Sequence, residues 1–192
     1  DGGIETRTLT GLTIGNTYYI QVYDYFGVNA NNAFTICVTH TSPPTITSLG
    51  AASGCIGSSL VITGTNLTGA TAVTIGGTPA TITGNTATTV TVTVGTGTTG
   101  TVQVTTPGGS AISAATFTVN PLPAAIAGGA ATVCTGASTQ AFTNATVGGT
   151  WSITNGTGSA TISGGGIVTG VTTGTATVVY TLGTCSVSTP IT

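Results

Sequence analysis

Charge is what this sequence lacks most. Of its 192 residues, one is Lys or Arg, three are Asp or Glu, and one is His. The charged positions are Asp1, Glu5, Arg7 and Asp24, so nothing from Tyr25 to Thr192 carries a carboxylate, an amine or a guanidinium. General acid–base catalysis needs a carboxylate, His or Lys near the reacting group. A stretch this long without them holds neither a carboxylate pair nor a Ser-His-Asp triad, and the sequence reads as non-enzymatic. Calcium and magnesium sites need carboxylate oxygens, and zinc sites need clustered Cys, His or carboxylates. The four cysteines stand far apart, none in a CxxC pair. No metal and no cofactor is expected. One Arg cannot supply the phosphate contacts that drive nucleic-acid binding. Trypsin has a single site, after Arg7, so digestion is expected to yield one cut near the N-terminus; several tryptic fragments would contradict the sequence.

Long apolar runs are missing too. A membrane-spanning helix needs about 20 consecutive apolar residues, and here Gly and Thr interrupt every run after a few positions, so no direct membrane insertion is expected. No secretory leader pattern opens the chain; it starts at Asp1-Gly2-Gly3 as a fragment or a mature product would. The 31 Gly show no every-third-residue period, which excludes collagen. A mean hydropathy of +0.48 with a net charge of −2 disfavours disorder, which goes with low hydrophobicity and high charge. What is abundant is Thr: 49 residues, about a quarter of the chain. Thr and Val suit the half-buried, pleated surface of a sheet. With Gly, Asn and Pro as punctuation, the composition predicts an all-β protein.

Two proline-bearing joints, Ser42-Pro43-Pro44 and Asn120-Pro121-Leu122-Pro123, divide the sequence. Such joints are semi-rigid and suit domain boundaries. Segments 1–41, 44–119 and 123–192 result. The first reads as three strands near 5–12, 17–25 and 33–39, with Tyr18, Ile20 and Val22 alternating onto one face. In the second, Leu60 and Ile62, Val73 and Ile75, Val90, Val92 and Val94, Val102 and Val104, then Phe117 and Val119 mark successive short strands of a sandwich.

These residues carry resemblances. Leu12-Thr13-Ile14-Gly15-Asn16-Thr17-Tyr18 followed by Ile20 and Val22 resembles the tyrosine corner of fibronectin type III-like modules, which implies a structural role for Tyr18. Ile14 stands where that pattern usually has Pro. Pro44-x-Ile46-x-Ser48-Leu49, Leu60-x-Ile62-x-Gly64-x-Asn66-Leu67, Val73-x-Ile75-Gly76-Gly77-x-Pro79-Ala80 and Val102-x-Val104-Thr105-Thr106-Pro107-Gly108-Gly109 resemble an IPT/TIG domain, which implies an immunoglobulin-like fold across segment 44–119. Gly166-Ile167-Val168-Thr169-Gly170-Val171 and Gly174-Thr175-Ala176 in segment 123–192 are similar to bacterial Ig-like domains of the BIG2 type. The expected architecture is a tandem of immunoglobulin-like β-sandwiches joined by short Pro-containing linkers, the first present only as its C-terminal strands. Its missing strands lie upstream in a longer polypeptide or are donated by a neighbouring subunit.

Trp151, the only Trp, is the natural core anchor of the third module. Cysteine in small sandwiches fits an extracellular, oxidising setting. Cys134 near the start of the third module and Cys185 near its end are the expected disulfide, closing a loop worth roughly 4 kcal/mol. Cys37 and Cys55 flank the first joint. A bridge between them, or pairing of Cys37 with a cysteine upstream, both fit. His40 reads as surface structure, Asp24 has too few companion oxygens for a cation, and the sequons at Asn66, Asn144 and Asn155 carry little information in so Thr-rich a chain. The module set is similar to that of large bacterial secreted and cell-surface adhesins, including those exported by type IX secretion. That resemblance implies a stalk that spaces a binding tip from the cell, located at the bacterial surface. Two alternatives stand beside it: a subunit of a self-assembling extracellular filament or sheath, since an uncharged surface offers no electrostatic barrier to association, and a glycan-binding accessory module of a secreted enzyme. Partners would be neighbouring modules or subunits, surface glycans or other cells.

Overall fold

A computed structural model describes Tyr18, Tyr19 and residues 41–192. Apart from those two tyrosines, the strands expected near 5–12, 17–25 and 33–39 lie outside the described residues, as do Asp24, Cys37 and His40. The described residues are all-β, fifteen strands without a helix.

The first sandwich uses β1 (Thr45–Leu49), β2 (Ser53–Cys55), β3 (Ser59–Thr65), β4 (Ala72–Ile75), β5 (Thr78–Asn85), β6 (Thr89–Thr93), β7 (Gly100–Thr106) and β8 (Gly109–Asn120). Hydrogen bonding links them in the order β1-β3-β6-β5-β4-β7-β8-β2. Strand β5 joins the two faces: Thr78–Ala80 pair with β4, and Thr81–Asn85 pair with β6. Side chains alternate across a strand, and Val-Thr repeats exploit this. In β6, Val90 and Val92 are fully buried while Thr89, Thr91 and Thr93 face outward. Leu60, Ile62, Leu67, Val73, Ile75, Val94, Val102, Val104 and Phe117 complete the core.

Local breaks in the ladder are repaired by side chains. The β7–β8 register shifts between Thr101 and Gln103, which takes Val102 N–H out of the ladder. The buried Ser113 hydroxyl accepts from it at 2.9 Å and donates to Ala115 O at 2.6 Å. A buried donor left without an acceptor costs about 1–3 kcal/mol. Ser113→Ala is therefore expected to destabilise this sandwich by about that much in urea unfolding, whereas Ser110→Ala on the exposed surface should cost little. Asn85 does similar work for the loop before β4: Oδ1 accepts from Gly69 N and Ala70 N, and Nδ2 donates to Leu67 O.

The second sandwich contains β9 (Ala127–Gly128), β10 (Phe142–Thr143), β11 (Thr150–Asn155), β12 (Ser159–Ile162), β13 (Val168–Thr172), β14 (Ala176–Leu182) and β15 (Cys185–Ile191). They pair as β9-β10, β11-β14-β15 and β12-β13. Its core is smaller: Phe142, Val168, Val178 and Ile191 with Ala160 and Ala176, flanked by Ile126, Val133, Trp151, Ile153 and Ile162. Trp151 is partly buried, its ring 4.7 Å from that of Tyr180 and tilted by 57°. Tyr180 itself clamps a loop. Its hydroxyl donates to Thr146 O at 2.6 Å and accepts from Gly149 N at 2.9 Å. Tyr180→Phe removes both bonds and should cost about 1–3 kcal/mol, read as a lower denaturation midpoint with an unchanged slope.

Candidate functional site

The feature on which the two sandwiches converge is the joint at Asn120-Pro121-Leu122-Pro123. Strand β8 ends there at Asn120, beside Cys55, because β2 runs parallel to β8 with Cys55 opposite Asn120. The far side of the joint is tied into the second sandwich. Ala124 N–H donates to Thr146 Oγ1 at 2.9 Å, and Asn144 Nδ2 donates to Ala124 O at 2.6 Å. The linker is thus three residues long, with two of them prolines. The β14–β15 hairpin, turning at Gly183, delivers Cys185 to the same place. Its sulfur lies 3.9 Å from Asn120 O, and Thr184 Oγ1 lies 3.9 Å from the Cys55 sulfur.

Cys55 and Cys185 form a disulfide, with Cα atoms 5.6 Å apart. This corrects both expected pairings. Cys134–Cys185 does not form: Cys134 is free and exposed. The reason is strand direction. Val133, next to Cys134, donates to Thr192 O at 2.8 Å, so Cys134 sits where β15 ends, while Cys185 is where β15 begins. Seven residues of strand at about 3.3 Å each separate those ends by about 20 Å, far beyond the Cα spacing a disulfide tolerates. Cys37–Cys55 is excluded because Cys55 already has its partner; Cys37 lies outside the described residues.

Of the other residues singled out from sequence, Tyr18 lies in no strand and is 46% exposed; the rest of its expected corner is outside the described residues. The sequon asparagines serve the backbone. Asn66 Nδ2 donates to Pro43 O, Asn144 Oδ1 accepts from Thr146 N, and Asn155 Oδ1 accepts from Ala160 N. Two features went unread in the sequence. Tyr180 was hidden inside an ordinary alternating strand. The kinship of Cys55 and Cys134 was visible as a repeated pattern, Gly-Ala-Ala-x-x-Cys-x-Gly-x-Ser, at 50–59 and again at 129–138.

The surface of residues 41–192 offers hydroxyls, amides and one thiol, with no Asp, Glu, Lys, Arg or His. Linkage needs groups whose pKa differs between folded and unfolded states, and thiols and phenols ordinarily titrate above neutrality. The thermal transition of this part is therefore expected to stay flat from about pH 4 to pH 8; a shift of many degrees would contradict it. The aromatic rings here face inward: Phe117, Phe142 and Tyr180 are buried and Trp151 packs on the core, while the exposed large apolar side chains are Val61, Ile112, Leu122, Val147, Ile167 and Val171. Among the described residues the exposed rings are those of Tyr18 and Tyr19, the latter 95% exposed.

Residues 44–121 match the IPT/TIG domain family. No curated protein matches the chain. Similar solved structures include SGBP-B of the Bacteroides ovatus mixed-linkage glucan utilization locus with a mixed-linkage heptasaccharide (22% identity, 46% of this chain and 26% of that one, TM-score 0.34). Another is SGBP-B from a complex xyloglucan utilization locus of Bacteroides uniformis (16% identity, 77% and 48%, TM-score 0.31). A third is the full extracellular region of plexin A4 (16% identity, 77% and 13%, TM-score 0.41). The chain spans less than half the length of each.

Proposed function

We propose that residues 41–192 are a rigid, non-catalytic spacer within a larger extracellular protein, and that glycan contact is made by another part of that protein. The observation that carries this reading is the disulfide across the joint. A bond between Cys55 and Cys185 has no role in chemistry at a pocket; what it does is remove the freedom of one sandwich to swing about Pro121-Leu122-Pro123. Disulfides also persist outside the reducing cytosol, which supports a secreted or surface location. The stalk and the glycan-binding readings then describe two parts of one molecule.

Glycan contact within residues 41–192 is disfavoured by chemistry, since sugar faces stack on exposed aromatic rings and this surface presents none. Among the described residues, Tyr19 is the most exposed ring. Xyloglucan and mixed-linkage glucan oligosaccharides are the probes to try, because proteins that carry these ligands are among the similar structures.

Small-angle scattering of the 192-residue chain tests the spacer reading. The oxidised protein should fit one arrangement of the two sandwiches. Cys55→Ser/Cys185→Ser should broaden the distribution of distances between them. An oxidised protein that already flexes freely at the joint would overturn it. In titration calorimetry, any oligosaccharide binding should disappear in Tyr19→Ala and survive Trp151→Phe.

A further inference from the structure

We propose that Cys134 is a second linking cysteine: it forms a disulfide with a β-sandwich module that continues the polypeptide after Thr192, as Cys55 does with the module that follows it. The proposal deepens the spacer reading and rests on it.

The two sandwiches hold these cysteines in equivalent turns. In the first, Ser58 N donates to Cys55 O at 2.9 Å, and Gly57 takes φ +85°. In the second, Ala137 N donates to Cys134 O at 3.0 Å, and Gly136 takes φ +80°. The relation to the closing strand matches as well. Thr118 N donates to Ala52 O at 2.9 Å, and Thr192 N donates to Ala131 O at 2.9 Å. Ala52 and Ala131 each stand three residues before their cysteine, so Thr192 is the counterpart of Thr118. Cys55 therefore sits where its sandwich hands the chain on, and Cys134 sits at the same point of the next.

The difference between them is occupancy. Cys55 is half-covered and bonded to the following hairpin. Cys134 is exposed, at the edge of an open cleft of about 410 Å³ lined by Val133, Thr135, Gly170 and Thr192. The partner that fits is a hairpin like β14–β15, with a cysteine opening its closing strand. Cys185 follows the end of β8 by 65 residues; the partner of Cys134 should lie about that far beyond Thr192. Pairing releases two protons and two electrons. The electrons pass by thiol–disulfide exchange to an oxidised dithiol oxidoreductase, which is reduced to its dithiol; the same class of oxidant would form Cys55–Cys185.

The test is disulfide mapping of the native full-length protein. Free thiols are blocked with N-ethylmaleimide under denaturing, non-reducing conditions. Chymotryptic peptides, cut around Phe142, Trp151 and Tyr180, are then analysed by mass spectrometry. The expected result is no maleimide on Cys134 and a cross-linked peptide joining it to a cysteine C-terminal to Thr192. In the Cys134→Ser protein, that downstream cysteine should become the one newly alkylated thiol. Maleimide on Cys134 of the native protein would overturn the proposal, as would a bridge to Cys37 or to Cys134 of a second copy. None of those outcomes touches the scattering result, so a free Cys134 would leave the spacer reading standing.

Discussion

Replacing Cys55 and Cys185 by Ser should lower the melting temperature of the second sandwich by well over 10 °C. With the first sandwich folded, β2 holds Cys55 beside Asn120, so the disulfide clamps an unfolded second module at both ends. The loop so closed runs 65 residues, from Asn120 to Cys185. The chain-entropy treatment values that closure at about 4 kcal/mol. A domain of this size shifts by roughly 4–8 °C per kcal/mol. The second sandwich should feel the loss more, because Ala160 and Ala176 occupy core positions that the first sandwich fills with Val, Ile, Leu and Phe. Cys134→Ser in the same 192-residue chain should leave both transitions in place. Scanning calorimetry of the two variants separates the pairings: if Cys134→Ser lowered the transition and the double variant did not, the assigned bridge would be wrong.

The strands of the first sandwich were legible because burial on one face writes itself into the sequence with a period of two. Val90, Val92, Val102 and Val104 announce their orientation, and Thr between them announces the other face. The disulfide was not legible in the same way. Loop length alone favours a bridge within the third segment, and nothing in the spacing of Cys134 and Cys185 says that they occupy opposite ends of the module. That fact follows from where β15 begins and ends relative to Val133. The repeated Gly-Ala-Ala-x-x-Cys pattern held the needed signal, because two equivalent cysteines in successive modules are poor candidates for partners within one. The polar repairs at Ser113 and Asn85 were also hidden. Each depends on a local departure from regular pairing that the residue types themselves do not reveal. Tyr180 shows the opposite limit: its ring follows the strand alternation, but the loop that its hydroxyl holds, 146–149, is about thirty residues away in sequence.

Phe117→Ala should destabilise the first sandwich by about 3–5 kcal/mol, the usual range for emptying a buried aromatic site. Phe117 is the largest of the fully buried side chains, at 1% exposure, and its neighbours leave it no easy way to collapse. On one side it lies against Gly54, whose added Cβ would fall 2.9 Å from the Phe117 ring and 2.7 Å from Ser58 Oγ. On the other, its strand pairs through Gly100. Glycine at 54 is thus part of the ring's seat, and Cys55 is the next residue along, so the same packing that anchors the core also fixes the cysteine at the joint. Gly54→Ala alone should cost about 1–3 kcal/mol by overpacking. The two changes share one space: removing the ring relieves the 2.9 Å contact of the added methyl and leaves the 2.7 Å one with Ser58 Oγ. The double variant should therefore lose less than the sum of the singles, with a coupling of about 1 kcal/mol or more. Urea unfolding of the four proteins gives that coupling directly. Strict additivity would mean that the ring does not rest on Gly54, and the link between core packing and the position of Cys55 would fall with it.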